Sequence, residues 1–261
     1  MPDPTWYPWG FVASILLAGI LLAHPADAQV NTERMRKLEV DGIGGAVGGS
    51  LAIQSGNTEL IEVGGDARLD VLHAPHYAFI VSEVRYGESD GSRFRDAAFA
   101  HLRYNYRFGG PLVAEAFTQL ERDSFALLNL RTLVGGGLRL RVLDTEPARL
   151  FLGTTPMFER ERLDTERVGA HPDRTTALRI SQYLNVRLRL SDRTFLVSTT
   201  YVQPWVAVPA DVRLLNETRL GVGITEALTL RITLKTRYDS RPPGEVSDWT
   251  LSWTNGITFT W

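Results

Sequence analysis

Arginines recur two residues apart in this chain, at Arg139 and Arg141 and again at Arg187 and Arg189, and four apart at Arg103 and Arg107. Carboxylates follow the same spacings at Glu159 and Glu161 and at Glu62 and Asp66. In an extended strand successive side chains alternate between faces, so residues two or four apart share one face. Rows of guanidinium and carboxylate on a common face have two uses. They can pair and fill an interior, or they can line a wet passage and favour ions of one sign. Together with Arg149, these are the candidate lumen and selectivity residues.

Covalent chemistry finds less support. The chain has no cysteine, which excludes disulfides, thiolate metal sites and thiol nucleophiles. His73 and His76 flank a proline turn but have no third ligand nearby in sequence, so no metal site is assigned. Asp164, Glu166, His171 and Asp173 carry the atoms of an acid–base site, yet a solvated acidic loop accounts for them better. A serine hydrolase needs Ser, His and a third group in register, and the strand registers bring no such set together. The glycine run "GIGGAVGG" places Val47 where a dinucleotide loop requires its last glycine. No catalytic residue and no cofactor are implied, although a hydrolase acting on lipid or peptide stays open as an alternative.

The elements that carry these rows repeat with a period of two. Ile61, Val63, Ala67, Leu69 and Val71 alternate with Glu62, Asp66, Arg68 and Asp70. The same pattern runs through 178–190, 228–239 and 248–261. Twelve strands are expected at 44–54, 59–71, 77–88, 94–108, 112–122, 129–143, 148–161, 175–190, 194–205, 212–224, 228–239 and 248–261, with the registers of the third and fifth unresolved. The fold class is all-β, a single antiparallel barrel over 44–261. The inward residues include about fifteen Arg/Lys and about nine Asp/Glu.

The first 28 residues read as an export segment: an apolar run, Gly10 to Ala23, then Ala26-Asp27-Ala28 as the cleavage site. The stretch before the run lacks Lys and Arg and contains Asp3, which departs from the usual pattern. Residues 29–43 form a short lead. The chain has 28 basic and 30 acidic residues, net charge -2, so nothing at whole-chain level points to nucleic acid. Mean hydropathy of -0.10 is too polar for a helical membrane bundle.

A charged face this dense does not suit a dry sheet-on-sheet core, whereas the apolar face suits lipid. Aromatics collect at both strand ends: Tyr104, Tyr106, Phe108, Phe195, Phe259 and Trp261 at one, Phe158, Tyr201, Trp205, Tyr238, Trp249 and Trp253 at the other. Tight turns are expected at one end and longer polar connections, including "GESDGSR" at 87–93, at the other. A membrane-spanning sheet must close on itself. The terminal strand then forms the seam, and Thr254, Gly256, Phe259 and Trp261 resemble the C-terminal signal read by the bacterial barrel-assembly machinery.

The stretches "SLAIQSGNTE", "YGESDGSR", "LERDSF", "GGGLRLRVLDTEPARL", "LSDRTFLVSTTYVQP" and "TRYDSRPP" resemble a bacterial family known as salt-induced outer membrane proteins. The resemblance covers nearly the whole chain after the export segment. It implies an outer-membrane β-barrel linked to osmotic conditions, and brings no catalytic residue, cofactor or substrate. The expectation is therefore an outer-membrane barrel of structural or narrow-channel type, preferring anions. Its partners are outer-membrane lipid, the assembly machinery and small anions. An exported barrel that binds a ligand in solution is a further alternative.

Overall fold

The computed structural model describes residues 41–54, 60–244 and 246–261; the export segment and nearly all of the lead lie outside the described residues. Twelve strands follow in chain order: β1 (Gly42–Gln54), β2 (Leu60–His73), β3 (His76–Ser89), β4 (Ser92–Arg107), β5 (Leu112–Asp123), β6 (Leu128–Asp144), β7 (Ala148–Leu163), β8 (Arg174–Arg189), β9 (Thr194–Trp205), β10 (Val208–Gly223), β11 (Leu228–Asp239) and β12 (Trp249–Thr260). Each pairs antiparallel with its neighbour, and β12 returns to β1. Closure pairs the inner parts of the two terminal strands and shortens the exposed edge.

Parity decides the face. In β2, Arg68 and Asp70 are buried inside the barrel while Ile61, Val63 and Leu69 stand outside. In β12, Trp249, Leu251, Trp253, Ile257 and Phe259 face outward. An exposed apolar belt of this extent would aggregate in water and suits hydrocarbon instead. Tyr104, Phe108, Phe259 and Trp261 form an exposed aromatic group at one end, and Phe158, Trp249 and Trp253 form another at the opposite end.

Phe195 and Tyr201, expected outside, point inward. The Phe195 ring lies over Gly221, where a Cβ would come within 2.0 Å of it. Tyr201 packs with Tyr183 and Leu215 in a buried cluster. Both occupy odd positions of β9, in phase with buried Val197 and Thr199.

The ambiguous third strand resolves for a related reason. Tyr77, Phe79 and Val81 share the inward face with Glu83 and Arg85, so that face is apolar in its first half and charged in its second. With Leu72 and Phe99 these residues form an apolar cluster inside the lumen. The fifth strand turns Glu115, Gln119, Glu121 and Asp123 inward.

The connections 74–75, 108–111, 145–147, 190–193 and 224–227 lie at the inner end, with the start of β1 and the finish of β12. At the outer end the expected loop over 87–93 is a hairpin. Strand pairing runs out to Ser89 and Ser92, and Asp90 and Gly91 turn the chain with φ of 48 and 74 degrees. Asp-Gly is the residue pair that tolerates two positive φ angles in succession. The connection between β9 and β10 is likewise reduced to 206–207, leaving 164–173 and 240–248 as long loops.

The seam is the shortest ladder. Its register runs from Ala46↔Thr260 to Gly49↔Ile257, whereas β1 and β2 pair from Gly42↔Leu72 to Gln54↔Leu60.

Candidate functional site: the barrel lumen

The outer half of the lumen is held by a buried ion network. Glu159 on β7 meets Arg179 on β8 at 3.0 Å and Arg213 on β10 at 2.6 Å. Glu161, two residues on, meets Arg131 on β6 at 2.5 Å and Arg213 at 2.9 Å. Arg131 also reaches Glu121 at 3.3 Å, Arg179 reaches Asp211 at 2.9 Å, and Arg213 reaches Asp239 at 2.9 Å. Arg213 thus ties β10 to β7 and to β11. Charges removed from water need several partners each, because breaking one contact leaves an uncompensated ion. Over this network the loops close through Ala126, Leu128, Leu163 and Val168.

The middle of the same wall is filled by rings. His101 is buried, stacked against Phe99 and Phe117 with ring centroids at 6.2 and 5.3 Å, and shares a hydrogen bond with Gln119 at 3.2 Å. Arg103 donates to its other ring nitrogen at 3.3 Å and pairs with Glu115 at 3.4 Å. Glu115 also accepts hydrogen bonds from Thr155 and Tyr183. Toward the inner end Arg68 pairs with Asp70 at 2.7 Å and lies over the Phe79 ring, while Tyr77 donates to Asp70.

The opposite wall, around the seam, differs in kind. Its inward residues are Gly44, Ala46, Gly48 and Ser50 on β1 and Ser252, Thr254, Gly256, Thr258 and Thr260 on β12. With so little side-chain bulk, a cavity of 330 Å³ remains at the inner end, lined by Asp66, Arg68, Arg219, Arg231, Thr229 and Thr258 among others. Asp66 on β2 and Arg231 on β11 meet at 2.7 Å above it, spanning β1 and β12.

The expected basic inner mouth divides into three groups. Arg103 and Arg139 lie inside, 3% and 1% exposed, the latter with its guanidinium 4.0 Å from the Phe151 ring. Arg107 and Arg187 are half-buried near the mouth, and Arg187 donates to Asn185 at 3.0 Å. Arg141, Arg149 and Arg189 sit on the rim, bound to turn carboxylates: Arg141 and Arg149 to Asp144 at 2.7 and 3.0 Å, Arg189 to Glu146 at 2.7 Å. A bulge between Arg141 and Leu143 ends strict alternation there, and Arg189 closes β8. Of the acids, Glu159 and Glu161 join the outer network, Asp66 spans the seam, and Glu62 lies 3.8 Å from Arg95.

Arg131, Arg179, Arg213 and Arg231 carry most of these contacts and were not singled out by spacing. Parity alone marks them: Arg179 is in phase with Arg187, and Arg231 with Lys235 and Arg237. The polar groups of the acidic loop bond locally. Asp164 accepts the Glu166 amide, Thr165 donates to Asp173, and His171 contacts the Pro172 carbonyl. His73 contacts Asp41 and His76 contacts Tyr104, on separate partners. Among the described residues no three His, Cys, Asp or Glu side chains gather as a metal site.

An all-antiparallel closed barrel of twelve strands, apolar outside and charged within, is the architecture of outer-membrane β-barrels. The chain belongs to the DUF481 family of proteins of unknown function, whose profile matches residues 47–260. Among solved structures it is similar to the NanC porin, with 10% identity and a TM-score of 0.51 over 83% of this chain and 98% of that one. It is also similar to the COG4313 outer membrane channel from Pseudomonas putida F1, with 13% identity and a TM-score of 0.51 over 89% and 100% of the two chains. No curated protein sequence matches it.

Proposed function

We propose that this chain is a narrow, anion-preferring channel of the Gram-negative outer membrane. The observation that carries the reading is the charge of the lumen. Among the described buried residues, nine arginines and one lysine face eight carboxylates, so the pairing network leaves an excess of cation inside a membrane-spanning wall. Fixed positive charge beside water in a low-dielectric surround draws anions and repels cations. The inner cavity supplies the water-accessible volume. One of the two similar structures is a porin and the other a channel, and their likeness to this chain supports the barrel form alone.

The same reading includes export through residues 1–28 and assembly through the terminal strand. Thr254 and Gly256 face inward there, while Phe259 and Trp261 face outward. It also includes operation under salt or osmotic stress, which the sequence resemblance supports. A second reading, a barrel that only stabilises the envelope, is favoured by the Glu159–Arg213 bridge across the outer half.

Planar-bilayer recording of the refolded barrel under a salt gradient separates them. The expected result is stepwise current with an anion-favouring reversal potential, weakened in the Arg107→Gln/Arg187→Gln double variant. A correctly folded, heat-modifiable barrel without steps would establish the envelope role instead.

A further inference from the structure

Resting on the channel reading, we infer that the conduction path runs down the seam wall, and that the Asp66–Arg231 pair is its constriction and its anion-selecting site. The remainder of the lumen is closed by long side chains, as described above. The seam wall is paved by glycine, alanine, serine and threonine both below the pair, at Ala46, Thr258 and Thr260, and above it, at Ser50 and Thr254. Small residues leave room for a file of water where arginines and rings do not.

The pair is built across this wall, not merely near it. Arg231 Nη2 donates to Asp66 Oδ1 at 2.7 Å, Nη1 to Oδ2 at 3.2 Å and Nη1 to Thr258 Oγ1 at 3.2 Å. Asp66 approaches from β2 and Arg231 from β11, so the contact lies over β1 and β12. The backbone beneath is bare at both crossing points. A Cβ at Gly48 would stand 2.7 Å from the Asp66 carboxylate and 2.9 Å from Arg231 Nη1, and one at Gly256 3.1 Å from Nη2. A side chain at position 48 would displace the pair, and one at position 256 would crowd Arg231.

The pair also differs from the outer network in its access to water. Its side chains are 10% and 11% exposed, against 2% for Glu159 and 3% for Arg179. An anion rising through the cavity meets Arg231 and competes with Asp66 for the same two guanidinium hydrogens. Exchange of one oxyanion for another conserves the hydrogen bonds and the charge balance at Arg231, so it needs no bare ion. A cation meets Asp66, paired with Arg231, and Asp70, paired with Arg68, while Arg219 adds a further positive charge to the lining.

Single-channel recording of four proteins tests this. Arg231→Gln is expected to raise conductance roughly threefold and to abolish most of the anion preference. Asp66→Asn is expected to raise conductance while keeping that preference, since Arg231 remains. The exchange Asp66→Arg/Arg231→Asp restores the narrow state if a pair is formed. The absence of native cysteine allows a second readout: Thr229→Cys, in the cavity wall, loses current on treatment with a charged thiol reagent, whereas Thr155→Cys, on the filled wall, does not. Wild-type current that survives both single substitutions and the Thr229→Cys treatment unchanged would overturn the assignment and leave the channel reading standing. No current in any of the proteins would remove the channel reading and this inference with it.

Discussion

The indole of Trp261 rests on the backbone of Gly45: a Cβ at Gly45 would fall 2.3 Å from the ring, and the two residues exchange backbone hydrogen bonds of 3.4 and 3.3 Å across the seam. Phe259 stacks against the same indole with centroids 6.4 Å apart. A side chain at position 45 must therefore displace the ring, and the ring guards the inner end of the shortest ladder in the barrel. Gly45→Val is expected to destabilise the folded barrel by about 2 kcal/mol, as overpacking does. Urea titration in detergent, followed by tryptophan emission, would show it; an unchanged midpoint would mean the indole does not hold the seam.

Removing one carboxylate from the outer network should cost more than removing any rim pair. Glu159 serves Arg179 and Arg213, with Arg131 at 3.8 Å, and all are buried. Glu159→Gln leaves excess positive charge away from water and is expected to cost about 3 kcal/mol. Arg189→Ala breaks an exposed pair with Glu146 and is expected to change stability by less than about 1 kcal/mol. Equal shifts in the two variants would contradict the buried network.

The lipid-facing assignment has its own test. Val84 is 60% exposed on the outward face of β3, midway between His76 and Ser89. Val84→Arg should cost about 2 to 4 kcal/mol when the barrel refolds into vesicles, because hydrocarbon cannot solvate a guanidinium. If that face met water, the substitution would be close to neutral.

The ring-filled wall should respond as a core does. Phe79 packs in the cluster with Leu72, Tyr77, Val81 and Phe99 and supports the Arg68 guanidinium at 4.0 Å. Phe79→Ala is expected to cost about 3 to 5 kcal/mol. Its effect on single-channel conductance should be small beside that of Arg231→Gln. A larger rise from Phe79→Ala would move the path to the filled wall.

Alternation made the barrel legible. β9 and β11 begin and end where the period of two starts and stops, and β1 begins at Gly42, two residues before expectation. What alternation hid was the content of the inner face. Tyr77 and Phe79 are apolar and inward, so β3 lost its contrast between faces. The preference of aromatics for the interface predicts that zone for Phe195 and Tyr201, yet both fill space beside small or apolar partners inside. The site was harder still. Spacing along one strand finds rows of charge, but Arg213 meets Glu159 and Glu161 from a distant strand, and Asp66 and Arg231 meet across the closure itself. Those contacts follow from the order of strands around the ring and from which wall lacks bulk, and neither is written in any single segment.

The short seam also sets how the barrel comes apart. Four registered pairs and the Gly45–Trp261 exchange join β1 to β12, so the ring has one joint weaker than the rest. Opening there exposes two edges while every other hairpin stays zipped. Amide protons of Gly45 to Gly49 and Ile257 to Trp261 should then exchange with deuterium ahead of those in β6 and β7, and the lifetime of the closed ring becomes the lifetime of that joint.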